Sequence, residues 1–235
     1  MNDSTESFIY QYQWLGKVTG FLLLLSTYSA NATLIGGVEF PQGEISFADA
    51  VVIYDPAAGG GAVPTASNSE PSNALGIPEV PGSTTISACT GDPFDCPFVS
   101  LGSGGSITLQ FTDNLLTGSD NNSLDLWVFE VGPDVEDTFV EISTDGNIWH
   151  DVGKVFGTTS GIDIDAFGFT SADQFAYVRL TDDPTEGSTS GASVGADIDA
   201  VGAISTVPAI PVPAAVWLFG SGLFALFGVA RLKHP

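Results

Sequence analysis

Thr138-Phe139-Val140-Glu141-Ile142-Ser143-Thr144-Asp145-Gly146-Asn147-Ile148-Trp149-His150-Asp151-Val152 decides the fold. Two β-forming runs, 138–143 and 148–152, flank Thr144-Asp145-Gly146-Asn147. Asp-Gly supplies the positive φ angles of a tight turn, so the stretch reads as a β-hairpin. Upstream, Ser106-Ile107-Thr108-Leu109-Gln110-Phe111 alternates, with Ile107, Leu109 and Phe111 on one face. Residues 124–131 are apolar on both faces apart from Asp125 and Glu130, the pattern of a central strand. Phe98-Val99-Ser100-Leu101 is short and extended, and residues 102–105 form a turn. Segments 175–181 and 198–204 read as late strands, and 45–54 as the first strand. Residues 55–74, rich in Gly, Pro, Ser and Asn, read as a long loop. Short strands with frequent turns, and no amphipathic helix among them, predict an all-β sandwich over 33–206.

Composition agrees. The chain has 28 Gly and 14 Pro in 235 residues, a turn-rich balance that disfavours long helices. With 43% hydrophobic and 11% aromatic residues it holds enough apolar surface to build a core. Formal charge is −23. Lys17, Arg231 and Lys233 lie at the ends, so the middle keeps only Lys154 and Arg179. Phosphate backbones need clustered Lys and Arg, which excludes nucleic acid as a partner. Such a surface attracts divalent cations or serves solubility alone.

Cys89 and Cys96 bracket Thr90-Gly91-Asp92-Pro93-Phe94-Asp95. Two close cysteines in an exported chain predict one small disulfide loop, stabilising by about 2 kcal/mol. A metal reading lacks a neighbouring His or a second Cys pair.

The ends read as address labels. Lys17 precedes the apolar run Val18-Thr19-Gly20-Phe21-Leu22-Leu23-Leu24-Leu25, and Ala30-Asn31-Ala32 follows a small polar segment. This is a secretory signal over 1–32 with cleavage after Ala32, the Ala30-x-Ala32 pair forming the site. It implies export through the Sec translocon. The stretch before Lys17 carries Asp3 and Glu6, so translation starts later than Met1 or the leading region is atypical.

Near the other end runs Val207-Pro208-Ala209-Ile210-Pro211-Val212-Pro213-Ala214, then an uncharged apolar stretch over 214–230, then Arg231-Leu232-Lys233. The stretch is at the lower limit of length for one transmembrane helix, with Arg231 and Lys233 as the cytoplasmic anchor. Pro-rich motif, glycine-bearing apolar helix and basic cluster in this order resemble a PEP-CTERM sorting signal over 207–235. The variant is the one with Val-Pro-x-Pro-Ala, centred on Pro211, Val212, Pro213 and Ala214. The resemblance implies a substrate of exosortase. Such a chain is held briefly in the inner membrane of a Gram-negative-type bacterium, then released to the cell surface or extracellular matrix.

The middle resembles the β-sandwich ectodomains found ahead of such tails, chiefly over 70–205. The carrying segments are Asn73-Ala74-Leu75-Gly76, Val99-Ser100-Leu101-Gly102, Gly105-Ser106-Ile107-Thr108-Leu109, Asp125-Leu126-Trp127-Val128-Phe129-Glu130, Ser143-Thr144-Asp145-Gly146, Tyr177-Val178-Arg179-Leu180 and Asp197-Ile198-Asp199-Ala200-Val201-Gly202. The layout is similar to a discoidin-type, galactose-binding-like jelly roll, which implies loops that bind sugars or lipids. Residues 143–149 also resemble the Asp-box turn of sialidase propellers. Propellers repeat, this copy is single, and the segment reads as a hairpin with Trp149 in the core.

Acids are the remaining chemistry. Asp182-Asp183, Asp197-x-Asp199 and Asp163-x-Asp165 pair carboxylates, while Asp125 and Glu130 share one strand. Residues two apart on a strand face the same side, and two such carboxylates repel unless a cation or proton separates them. Two readings stand open: a structural Ca²⁺ held by Asp182, Asp183, Asp197 or Asp199, or solvated turn acids. His150 has no nucleophile partner in the pattern and reads as a surface residue. Arg179 reads as the partner of a carboxylate. The glycine turn 102–105 precedes a strand and not a helix, so it is no phosphate cradle. Two functions follow. The first is a non-catalytic surface or matrix protein that binds or pads extracellular polysaccharide. The second is a secreted polysaccharide hydrolase using an Asp pair.

Overall fold

The computed structural model describes residues 32–209, apart from 84–88, 90, 133–135 and 188. The strands are β1 (Thr33–Ile35), β2 (Val38–Phe40), β3 (Ala50–Asp55), β4 (Val99–Ser100), β5 (Ser106–Gln110), β6 (Asn114–Leu116) and β7 (Leu126–Glu130). Then come β8 (Asp137–Ser143), β9 (His150–Phe156), β10 (Thr159–Ile162), β11 (Tyr177–Asp182), β12 (Asp197–Ala203) and β13 (Thr206–Pro208). A five-stranded sheet in the order β3-β5-β11-β8-β9 packs on a four-stranded sheet in the order β10-β7-β12-β4. Neighbours in both are antiparallel, so the described residues form an all-β fold.

Alternation builds the core. Ile107 and Leu109 of β5, Val140 and Ile142 of β8, and Val178 and Leu180 of β11 face inward from the larger sheet. Leu126, Val128, Ile198 and Val201 meet them from the smaller one. Each fully buried side chain of this kind stabilises by roughly 1.5–3 kcal/mol. β7 packs Leu126 and Val128 into the core between the sheets and Trp127 and Phe129 into a second apolar cluster, which explains its apolar character on both faces.

The outer face of the smaller sheet is also covered. The β1–β2 hairpin brings Phe40 against Phe47 and Phe129, with ring centroids 4.6 and 6.2 Å away. Gly202 makes room for them: a Cβ there would sit 2.8 Å from both the Phe40 and Phe47 rings. This hairpin was absent from the sequence reading. The expected first strand is also corrected. Gly43–Ser46 is a 3-10 turn, Phe47 bridges to Gly202, and the strand starts only at Ala50. Phe47 leaves the strand because its ring belongs to the phenylalanine cluster.

The β8–β9 hairpin forms, but β9 begins at His150 and not Ile148. Asp145 Oδ1 accepts from the N–H groups of Asn147 at 2.8 Å and Ile148 at 3.0 Å, holding both in the turn. Trp149 is not in the core. It is half-buried on the surface, with the Arg179 guanidinium 4.2 Å from its ring centroid.

The long loop carries two 3-10 turns, Ala66–Asn68 and Pro71–Ala74. No helix among the described residues is long and apolar enough to cross a membrane. The expected transmembrane stretch 214–230 lies outside them, as do Ala30 and most of the signal segment. β13 pairs with β6, Val207 opposite Leu115 and Pro208 opposite Asn114. The Ala209 N–H donates to Asp113 O at 2.9 Å. The first two residues of the expected sorting motif, Val207 and Pro208, therefore belong to a strand, and the described fold continues past 206.

Candidate functional site

The expected disulfide forms between Cys89 and Cys96, with Cα atoms 5.7 Å apart. It packs with Phe98, Val131 and Val80 beside the end of β7. Of the sorting and anchoring residues, Pro211, Val212, Pro213, Ala214, Arg231 and Lys233 lie outside the described residues.

The acids sort to the two ends of the sandwich. At one end, β7 finishes at Glu130, β11 at Asp182, β12 starts at Asp197, and Glu136 precedes β8. All four are buried. Asp182 accepts from the N–H groups of Gly104 and Ala196, each at 2.8 Å. Ser100 Oγ donates to Asp197. The neighbouring Asp183 takes a different route: Lys154 Nζ lies 2.6 Å from it and 2.6 Å from Asp137. That ammonium, with Thr185 donating as well, holds the Asp183 carboxyl down to about 2.

Asp199 stands apart from Asp197 although only one residue separates them. The β7–β12 register shifts between Ile198 and Ala200, a bulge at Asp199. Its carboxylate accepts from the N–H groups of Glu79 at 2.9 Å and Val80 at 3.0 Å, pinning that loop. Burial pushes its pKa up to about 6. Asp182, Asp183, Asp197 and Asp199 thus hold four separate sets of donors and do not form one oxygen cage. Among the described residues, the four acids named for calcium do not converge as one group; the acids that do are others.

The opposite end holds Asp125, Asp163 and Asp165. Among the described residues these are the acids whose carboxylate oxygens converge, all within 4.8 Å. They too are provided for. Asp125 accepts from Ser205 Oγ at 2.6 Å and the Ile164 N–H at 3.0 Å. Asp165 accepts from the N–H groups of Ser119 at 2.8 Å and Asp120 at 2.9 Å. Asp163 caps the 3-10 turn Ile164–Phe167 through the Asp165 N–H.

Glu130 breaks the pattern. Its Oε1 is buried without a hydrogen-bond partner. Burial first, then the charges of Glu136 and Asp197, push its pKa up to about 9. Asp197 rises to about 8, again mainly through burial. Sequence reasoning noticed Glu130 as the polar exception on an apolar strand and drew nothing from it.

Arg179 pairs with Glu141, Nη2 to Oε2 at 2.6 Å and Nε to Oε2 at 2.7 Å, as the sequence suggested. With Trp149 and Tyr177 it forms an aromatic and polar patch on the exposed face of the larger sheet. His150 is exposed, its ring edge-on to Phe169 at 5.2 Å between centroids.

No family model and no curated protein matches the chain. Among solved structures, it is similar to a chain described as CpGH89CBM32-6 produced by Clostridium perfringens, at 12% identity and a TM-score of 0.31. That likeness covers 45% of this chain and 72% of the other.

Proposed function

We propose that this is an exported, non-catalytic protein of the cell surface or extracellular matrix, released there by exosortase, with a jelly-roll-like domain that contacts polysaccharide. The observation that carries the non-catalytic part is how the buried carboxylates are used. Asp125, Asp182 and Asp199, which are buried, and Asp165, which is half-buried, each accept hydrogen bonds from loop backbone N–H groups. The hydrolase reading by Asp197 and Asp199 draws less support, since the two are 8% and 1% exposed. The disulfide fits an oxidising compartment. Both cations of the domain are committed to carboxylates, which leaves no free basic patch for a polyanion.

For the sugar contact we nominate the Trp149–Tyr177–Arg179–Glu141 patch. Aromatic rings there offer an apolar surface to sugar C–H groups, and the guanidinium and carboxylate offer hydrogen bonds to hydroxyls. A glycan array with and without EDTA tests the reading. Binding to one or more extracellular polysaccharides, lost in Trp149→Ala, is the expected result. The EDTA arm reads whether a divalent cation supports it. Binding to none would leave only a structural role, and hydrolysis of an arrayed glycan would favour the enzyme.

A further inference from the structure

Glu130 ends β7 in a place where its carboxyl meets one backbone donor, the Glu136 N–H, and leaves Oε1 with none. Its backbone is satisfied: the N–H donates to Thr158 O at 3.0 Å, and the residue sits opposite Ile198. Its side chain is 4% exposed, and Oε1 meets no donor. What faces it is acidic on each side. Glu136 comes from the segment before β8, Asp182 from β11 and Asp197 from β12. From β4 comes Ser100, whose hydroxyl is spent on Asp197. From β9 comes Lys154, already held by Asp137 and Asp183. Asp182 and Asp197 have donors of their own, and Glu130 Oε1 does not.

The segment between β11 and β12 packs tightly over this end. A Cβ on Gly187 would come within 2.4 Å of Glu136 Oε1, and one on Gly195 within 3.0 Å of Asp182 Cγ. A buried anion with one oxygen lacking a donor and amid like charges is strongly unfavourable. Taking up a proton removes the charge and turns the carboxyl into a donor for its acidic neighbours.

We propose that the folded domain carries Glu130 as a neutral carboxylic acid, a proton-operated lock at one end of the sandwich that tightens as the surroundings acidify. The sign follows from linkage. With a folded pKa of about 9 against an ordinary 4.5, the stability it contributes is whole below 4.5 and drains as pH rises towards 9. Glu130 accounts for one proton of difference between folded and unfolded chains in that window, a share that lowers the folded-to-unfolded ratio about tenfold per pH unit, with Asp197 and Asp199 adding to it below pH 8 and 6.

Urea unfolding of the full chain in detergent, from about pH 5 to pH 9, reads this slope. Glu130→Gln, a neutral replacement of the same shape, is expected to lose about one proton's worth of it and to overtake the wild type at the alkaline end. Equal slopes in the two proteins would overturn the proposal. Should the variant fail to fold, infrared spectra of the wild type with isotope-labelled glutamate decide. A protonated carboxyl band at neutral pH that vanishes in alkali supports the lock. Glutamates that are all carboxylate at neutral pH overturn it.

Discussion

Strand β7 carries an acid at each end, and the two ends are opposites. Asp125, just before the strand, has both oxygens filled by Ser205 and Ile164. Glu130, its last residue, has an oxygen with no donor at all. Both are buried, and both sit near other acids. The contrast teaches that acid clusters alone do not define a cation site. What matters is how many lone pairs the neighbouring backbone already engages. Asp125 uses its oxygens as a staple for loops, whereas Glu130 holds a proton in place of a charge.

The largest expected effect breaks the stapled end. Asp125→Ala would strand the buried Ile164 N–H and free the Ser205 hydroxyl. Hydrogen bonds to charged groups are worth about 1.5–3 kcal/mol each, so a loss of about 3 kcal/mol is expected. Calorimetry should find melting lower by roughly 6–12 °C. A variant melting with the wild type would mean that this end is no staple. Next comes the double change Cys89→Ala and Cys96→Ala, which releases the loop beside Glu130. Chain entropy sets its cost at about 2 kcal/mol. The same loss should follow reduction of the wild type, and an unchanged urea midpoint after reduction would refute it.

The smallest effect is the most diagnostic. Lys154 depresses the Asp183 pKa to about 2, so the stability from that pair is present above the ordinary carboxylate range and lost as pH falls towards 2. This runs opposite to Glu130, whose contribution grows on acidification. Lys154→Met should therefore be less stable than the wild type near neutrality and converge with it in strong acid. Parallel acid-unfolding curves would show that the ion pair adds nothing.

Much of this frame was legible in sequence. The alternation of Ile107, Leu109 and Phe111 and the Asp145-Gly146 turn marked real strands, because they depend on local period and backbone angle. The β1–β2 hairpin was not legible. Its strands have three residues each, and it exists through packing of Phe40 on Phe47 and Phe129, distant in sequence. Gly36-Gly37 between β-formers was the one local hint. Trp149 was misplaced since nothing in its own segment reveals Arg179 lying on its ring. Among the acids, the Asp197-x-Asp199 spacing was visible, yet the bulge that hands the two to different partners was not. Spacing rules assume an unbroken ladder, and here the ladder slips by one residue.

Thr206–Pro208 knots the end of the described chain to Asn114–Leu116, with Ala209 adding a last tie to Asp113. Tension applied beyond Ala209 would arrive first at this short seam. The seam can unzip one rung at a time while the two large sheets stay whole, so it acts as a mechanical fuse between the globule and whatever tugs on its tail.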